Sequence, residues 1–154
     1  EKARVLFDQA YRRQMDGEFG EAIVLYKRSI ATYPTAKAYT FLGWTYSMMG
    51  RIDEAIQMCH KAIETDPTYG NPYNDIGAYL IDQEKWEEAI PWLQKATIAP
   101  RYETRQFPYM NLGRAYQNLG QYKTAMEHYK QALVEEPFYL PAHWAITLLV
   151  GKMN

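Results

Sequence analysis

Alanine recurs at Ala22, Ala55, Ala89 and Ala125, at intervals of 33, 34 and 36 residues. Leu42-Gly43, Ile76-Gly77 and Leu112-Gly113 recur in step with it. A fixed period of this size constrains the fold more than any other feature of the chain. It marks a solenoid, in which each unit buries its apolar face only against its neighbours.

The unit itself is clearest between residues 106 and 139. Tyr109, Leu112, Gly113 and Tyr116 fall at i, i+3, i+4 and i+7, which is one face of an α-helix. Gly120 stops that helix by taking a left-handed cap conformation. Tyr122, Ala125, Tyr129 and Ala132 make one face of a second helix, closed by Pro137. Gly113 and Ala125 put minimal side chains within the apolar stripes, so the two backbones approach closely and pack as an antiparallel hairpin. This pattern resembles the tetratricopeptide repeat, a helix–turn–helix unit of about 34 residues. The resemblance implies an all-α fold: a right-handed superhelical α-solenoid of helix hairpins, whose first helices line a concave groove.

On this template one domain covers residues 1–154. Its repeats are expected at 3–35, 36–69, 70–103 and 106–139, with a capping or partial-repeat helix at 140–151. Repeat one has a clear second helix in Phe19, Ala22, Ile23, Tyr26 and Ile30. Its first helix carries Gln9 and Arg13 where later repeats have Leu and Tyr, the wetter face expected of a terminal unit. Repeat two reads Tyr39, Leu42, Gly43, Tyr46, then Ile52, Ala55, Cys59 and Ala62. Repeat three reads Tyr73, Ile76, Gly77, Leu80, then Trp86, Ala89, Leu93 and Ala96, with Asn71 as the expected N-cap before Pro72. Glu84 replaces the turn glycine there, at an expected strain of about 1 kcal/mol. Two extra residues between Pro100 and Pro108 predict a longer loop before repeat four.

Composition narrows the function. A net charge of −1 over 154 residues argues against nucleic acid or an anionic membrane as the main partner. No apolar run reaches membrane-spanning length, so no membrane insertion is expected. The single cysteine excludes an internal disulfide and fits a reducing compartment such as the cytoplasm without excluding secretion. The chain begins at Glu1 and reads as a fragment or mature form, so its localisation stays open. His60, His128 and His143 stand apart from any metal-ligand spacing, Cys59 holds a core position, and the glycines make no phosphate-binding motif. No metal, no cofactor and no enzymatic activity are expected.

A binding surface remains. A second stripe on each first helix, rotated by about a third of a turn from the core stripe, would face the groove that the resemblance implies. Repeat one offers Arg4, Phe7, Tyr11, Gln14 and Met15; repeat two offers Lys37, Thr40, Trp44, Ser47 and Met48. Repeat three offers Asn71, Asn74, Ala78, Ile81 and Asp82; repeat four offers Phe107, Met110, Arg114, Gln117 and Asn118. Phe7, Tyr11, Trp44 and Met48 supply an apolar pocket. Asn71, Asn74, Gln117 and Asn118 can donate to and accept from a peptide backbone without reading its sequence. Met110 adds an adaptable apolar contact, and Arg114 can hold a carboxylate. Co-chaperones of the resembled family grip acidic tails with a clamp of Lys, Asn, Asn, Lys and Arg. The matching places here are Phe7, Tyr11, Phe41, Asn71 and Asp75, which make no clamp. The expected function is therefore a scaffold or adaptor that binds an extended segment of another protein in its groove. The alternative is a structural assembly protein that self-associates through its repeat ends. Trp144, Ile146, Leu148, Leu149 and Val150 make the C-terminal helix unusually apolar, with Trp144 and Leu148 the expected anchors of a homodimer.

Overall fold

The computed structural model describes residues 1–154. Its regular structure is helical: α1 (Lys2–Met15), α2 (Phe19–Thr32), α3 (Ala36–Met48), α4 (Ile52–Thr65), α5 (Asn71–Asp82), α6 (Trp86–Ile98), α7 (Gln106–Asn118), α8 (Tyr122–Glu135) and α9 (Leu140–Met153). The chain forms two compact units, Glu1–Asp75 and Ile76–Asn154, whose boundary falls inside α5.

In the first unit α1 packs on α2, α2 on α3, and α3 on α4. Small residues set the spacing. Ala10, Ala22, Ala55 and Ala62 are fully buried, and a Cβ on Gly43 would stand 2.9 Å from the Ala55 carbonyl oxygen. Cys59 is fully buried, and burial pushes its thiol pKa well up. It packs in the core, as its place in the repeat predicts. The outer face of α1 is polar: Arg13 pairs with Glu18 at 2.9 Å and with Glu21 at 3.3 Å.

In the second unit α7 packs against both α6 and α8, and α9 packs on α8. Gly77 and Gly113 lie where a side chain cannot fit. A Cβ on Gly77 would meet Leu93 at 2.3 Å, and one on Gly113 would meet the Tyr129 ring at 2.3 Å. Leu149 joins Ala125 and Tyr129 in one buried cluster, flanked by Ala145 and Ile146. The connection from α6 to α7 is cross-braced: Arg105 donates to the carbonyls of Ala99 at 2.7 Å and Tyr102 at 3.3 Å.

All four within-hairpin turns share one backbone form. Gly17, Gly50, Glu84 and Gly120 have φ of +80°, +77°, +59° and +79°. In each, the next amide donates back five residues, from Glu18 to Arg13, Arg51 to Tyr46, Lys85 to Leu80 and Gln121 to Tyr116. That bond pattern closes a helix on a left-handed residue, and glycine takes it without a Cβ penalty. Glu84 takes it at a cost.

One local expectation changes, and one proline sits where the sequence reading placed none. Asn71 is the first residue of α5 rather than its cap, and the Gly70 carbonyl accepts the Asn74 amide. Pro91 sits inside α6, on an exposed side opposite Ala89, Leu93 and Ala96, so the helix runs on despite the missing donor.

Candidate functional site

The first unit carries a chain of aromatic rings on α1 and α3. Phe7 meets Phe41 edge to face at 5.1 Å, and Phe41 meets Trp44 the same way at 5.8 Å. Tyr11 tilts against Phe41 at 5.8 Å. Below them, Tyr26 is fully buried and touches Phe7 at 5.4 Å. Its hydroxyl donates to Gln14 Oε1 at 2.6 Å, and Gln14 Nε2 donates to the sulfur of Met48 at 3.4 Å. A buried tie between the two helices of the hairpin thus ends on an exposed methionine. Burial pushes the Tyr26 phenol well above its usual range. Tyr11, Trp44 and Met48 are 40, 37 and 44% exposed, and Phe7 is half-buried. The Lys37 ammonium stands 5.1 Å from the centre of the Phe7 ring and 5.9 Å from that of Phe41. Phe7, Asp8, Tyr11, Arg12, Lys37 and Phe41 line an open cavity of about 480 Å³.

Four of the residues expected on the open stripe lie inside instead: Gln14, Thr40, Asn74 and Ile81 are buried. Asn74, expected to bind peptide backbone, is the one that changes the candidate site. The reason is reach. Thr40 and Asn74 stand three residues before Gly43 and Gly77; at the same place relative to Ala10 and Gly113, the longer Phe7 and Met110 are only half-buried. Asn71 is half-buried at the start of α5.

In the second unit the exposed stripe of α7 is braced through Arg114. Its guanidinium donates to Asn111 Oδ1 at 3.3 Å, and its carbonyl accepts from Asn118 Nδ2 at 2.8 Å. Tyr129 donates to Gln117 Oε1 at 2.7 Å, which ties one of Gln117's groups into the hairpin. Burial pushes the Tyr129 phenol up to about 12, and nearby Arg114 offsets part of that. Phe107 meets Tyr139 edge to face at 5.8 Å. On α9, Leu140, Trp144 and Leu148 follow one another at four-residue spacing and are 75, 68 and 56% exposed.

Phe41 and Lys37 carry more of this surface than the sequence reading gave them. A signal was present: Phe41 occupies the place held by Asp8, Asp75 and Asn111 in the other repeats, an apolar ring among polar groups. No group of three or more His, Cys, Asp or Glu side chains converges as metal ligands do, and no helix is long and apolar enough to cross a membrane.

Helices paired in register, with aromatic and amide side chains left open on the first of a pair, define a helical-repeat scaffold. The family model described as Tetratricopeptide repeat matches residues 36–69 and 108–139, so these two stretches are tetratricopeptide repeats. Small glutamine-rich tetratricopeptide repeat-containing protein 2 of Mycosarcoma maydis is 27% identical over 95 residues, which cover 61% of this chain and 27% of the relative. Anaphase-promoting complex subunit cut9 of Schizosaccharomyces pombe is 26% identical over 149 residues, 91% of this chain and 22% of the relative. The chain thus spans about a quarter or less of these curated relatives. A solved Cut9-Hcn1 hetero-tetramer superposes with a TM-score of 0.82 at 22% identity, over 98% of this chain and 30% of that one. The structure of Pseudomonas aeruginosa pilF superposes with a TM-score of 0.90 at 20% identity, over 98% of this chain and 68% of that one. The fold is an all-α solenoid of helix hairpins, as in these solved structures.

Proposed function

We propose that the chain is a scaffold or adaptor without catalysis, which holds an extended segment of a partner protein against its first-helix faces. The observation that carries this reading is the ring chain Phe7–Phe41–Trp44 with Tyr11 beside it, left open over a buried brace. Rigid aromatic groups cost little conformational entropy to immobilise, and such clusters supply most of the binding energy where they occur. In the second unit Met110, Arg114, Gln117 and Asn118 offer one apolar and several polar contacts. In the first, Phe7, Tyr11, Phe41, Asn71 and Asp75 stand where a two-carboxylate clamp would need cations and amides. This favours a partner other than a chaperone tail. Cut9 assembles with Hcn1, and likeness to it favours a protein partner here too.

The test is affinity capture with Tyr11→Ala and Trp44→Ala beside the parent chain, and circular dichroism to confirm unchanged helicity. Both substitutions are expected to remove the captured partner. Capture undiminished by either one would overturn the reading.

The exposed series Leu140, Trp144 and Leu148 supports a second reading, self-association through α9. Light scattering after size exclusion checks it. A dimer that Trp144→Glu turns monomeric would support it, and a parent chain monomeric at high concentration would overturn it.

A further inference from the structure

We infer that the pocket between Phe7 and Phe41 selects a segment carrying one carboxylate beside a large apolar side chain. This rests on the groove reading above and names the chemistry of the partner it would take.

Two unpaired cations border the pocket. Neither Lys37 nor Arg12 pairs with a carboxylate, whereas Arg13, one residue further along α1, is paired with both Glu18 and Glu21. Lys37 is nevertheless held in place, because its ammonium lies over two ring faces at 5.1 and 5.9 Å. A ring face attracts the charge without using up an ammonium donor as an oxygen acceptor would. Lys37 is thus oriented by the protein and still able to donate to an incoming oxygen. A charge-assisted bond to a carboxylate is the strongest use of that donor.

The rest of the lining sets the neighbour. Tyr11 and Phe41 give an apolar wall that a Phe, Trp or Leu side chain would cover. At about 480 Å³ the cavity has room for one such side chain and a carboxylate, not for a folded element. Asp8 on the same rim repels a dense anion. With Lys37 and Arg12 it leaves one net positive charge, which matches a single carboxylate rather than a phosphate.

The probes are short peptides, blocked at both ends, each with a central Phe, Trp or Leu flanked by a single Glu, by a single Gln or by a single Lys. Binding to the full chain is followed by fluorescence anisotropy. Acidic flanks are expected to bind about fivefold more tightly than their amide isosteres, the strength of a partly exposed ion pair. The preference should shrink as salt is raised, vanish in Lys37→Gln and turn towards Lys flanks in Lys37→Glu. Lys37 is exposed, so neither substitution threatens folding. Equal binding of acidic and amide peptides by the parent chain would overturn the carboxylate selection. The groove reading would survive that result if Trp44→Ala abolished both. Failure of every peptide to bind would overturn the pocket proposal, while the groove reading would still be decided by partner capture with Tyr11→Ala and Trp44→Ala.

Discussion

Tyr26 and Gln14 are joined across the first hairpin by a 2.6 Å hydrogen bond, and Tyr129 and Gln117 repeat that bond at 2.7 Å across the hairpin of α7 and α8. Each pair is twelve residues apart. At the matching places the other hairpins carry Cys59 with Ser47 and Leu93 with Ile81. Tyrosine brings a hydroxyl into the contact and glutamine answers it; where the second helix offers no hydroxyl, the first drops the amide.

Tyr26→Phe removes the donor and leaves the buried Gln14 oxygen without it. A buried acceptor stripped of its partner costs about 1–3 kcal/mol. Adding Gln14→Leu removes the orphan, so the double variant should recover much of the loss. Urea unfolding of the two single variants and the double variant checks this. A double variant no more stable than Tyr26→Phe would show that the bond is not what the tyrosine contributes.

Gly77 makes a sharper test of close packing. A Cβ there would meet both Leu93 Cδ2 and Leu93 Cγ at 2.4 Å or less, and Leu93 is fully buried. Gly77→Leu should therefore destabilise by about 1–3 kcal/mol or more through overpacking. Gly20, on α2, has nothing within 4 Å of its would-be Cβ, so Gly20→Ala should shift stability by no more than about 1 kcal/mol. Thermal unfolding of both compares them. An unchanged midpoint for Gly77→Leu would mean that the α5–α6 contact is loose.

The hairpins were legible because their signal is local and repeated. Leu42-Gly43 and Ala55 report one helix contact, and the same words recur with Ile76-Gly77 and Leu112-Gly113. Exposure on the first helices was less legible, because it depends on how far a side chain reaches. Phe7 and Met110 extend beyond the depth at which Thr40 and Asn74 are covered. Gln14 reads as an open polar residue until its partner twelve positions on is known to be a buried tyrosine. The role of Lys37 was hidden for another reason: its position is fixed by the rings of Phe7 and Phe41, which lie on different helices.

Glu84 holds the left-handed turn conformation, φ +59°, that glycine holds in the other three hairpins. A residue with a Cβ is strained there by about 1–2 kcal/mol. Glu84→Gly relieves that strain but gives the unfolded chain more freedom. The net expectation is a gain of about 0.5–1 kcal/mol, read as a higher urea midpoint with an unchanged slope. A lower midpoint would mean that the Glu84 side chain contributes more than its backbone costs.

Asp75, on α5, gives the first unit a pH dependence of unusual sign. Burial pushes its carboxyl from an ordinary value of 3.8 up to about 7, and its charge in turn helps to raise the Cys59 thiol. The folded chain therefore favours the protonated acid. Between about pH 4 and 7 the folded state binds more protons here than the unfolded state, so stability falls as pH rises through that window. Below pH 4 the contribution is fully present, and above about 7 it is gone. Glu54 runs the opposite way, because Arg51 lowers its pKa, but that pair is exposed and salt screens it. Urea unfolding at high salt, at pH 5 and at pH 8, isolates the Asp75 effect by comparison with Asp75→Asn. The parent chain should lose on the order of 1 kcal/mol more than the variant between the two pH values, and the variant should be the more stable at pH 8. Parallel pH profiles for the two chains would show that Asp75 ionises in the folded state as it does in the unfolded one.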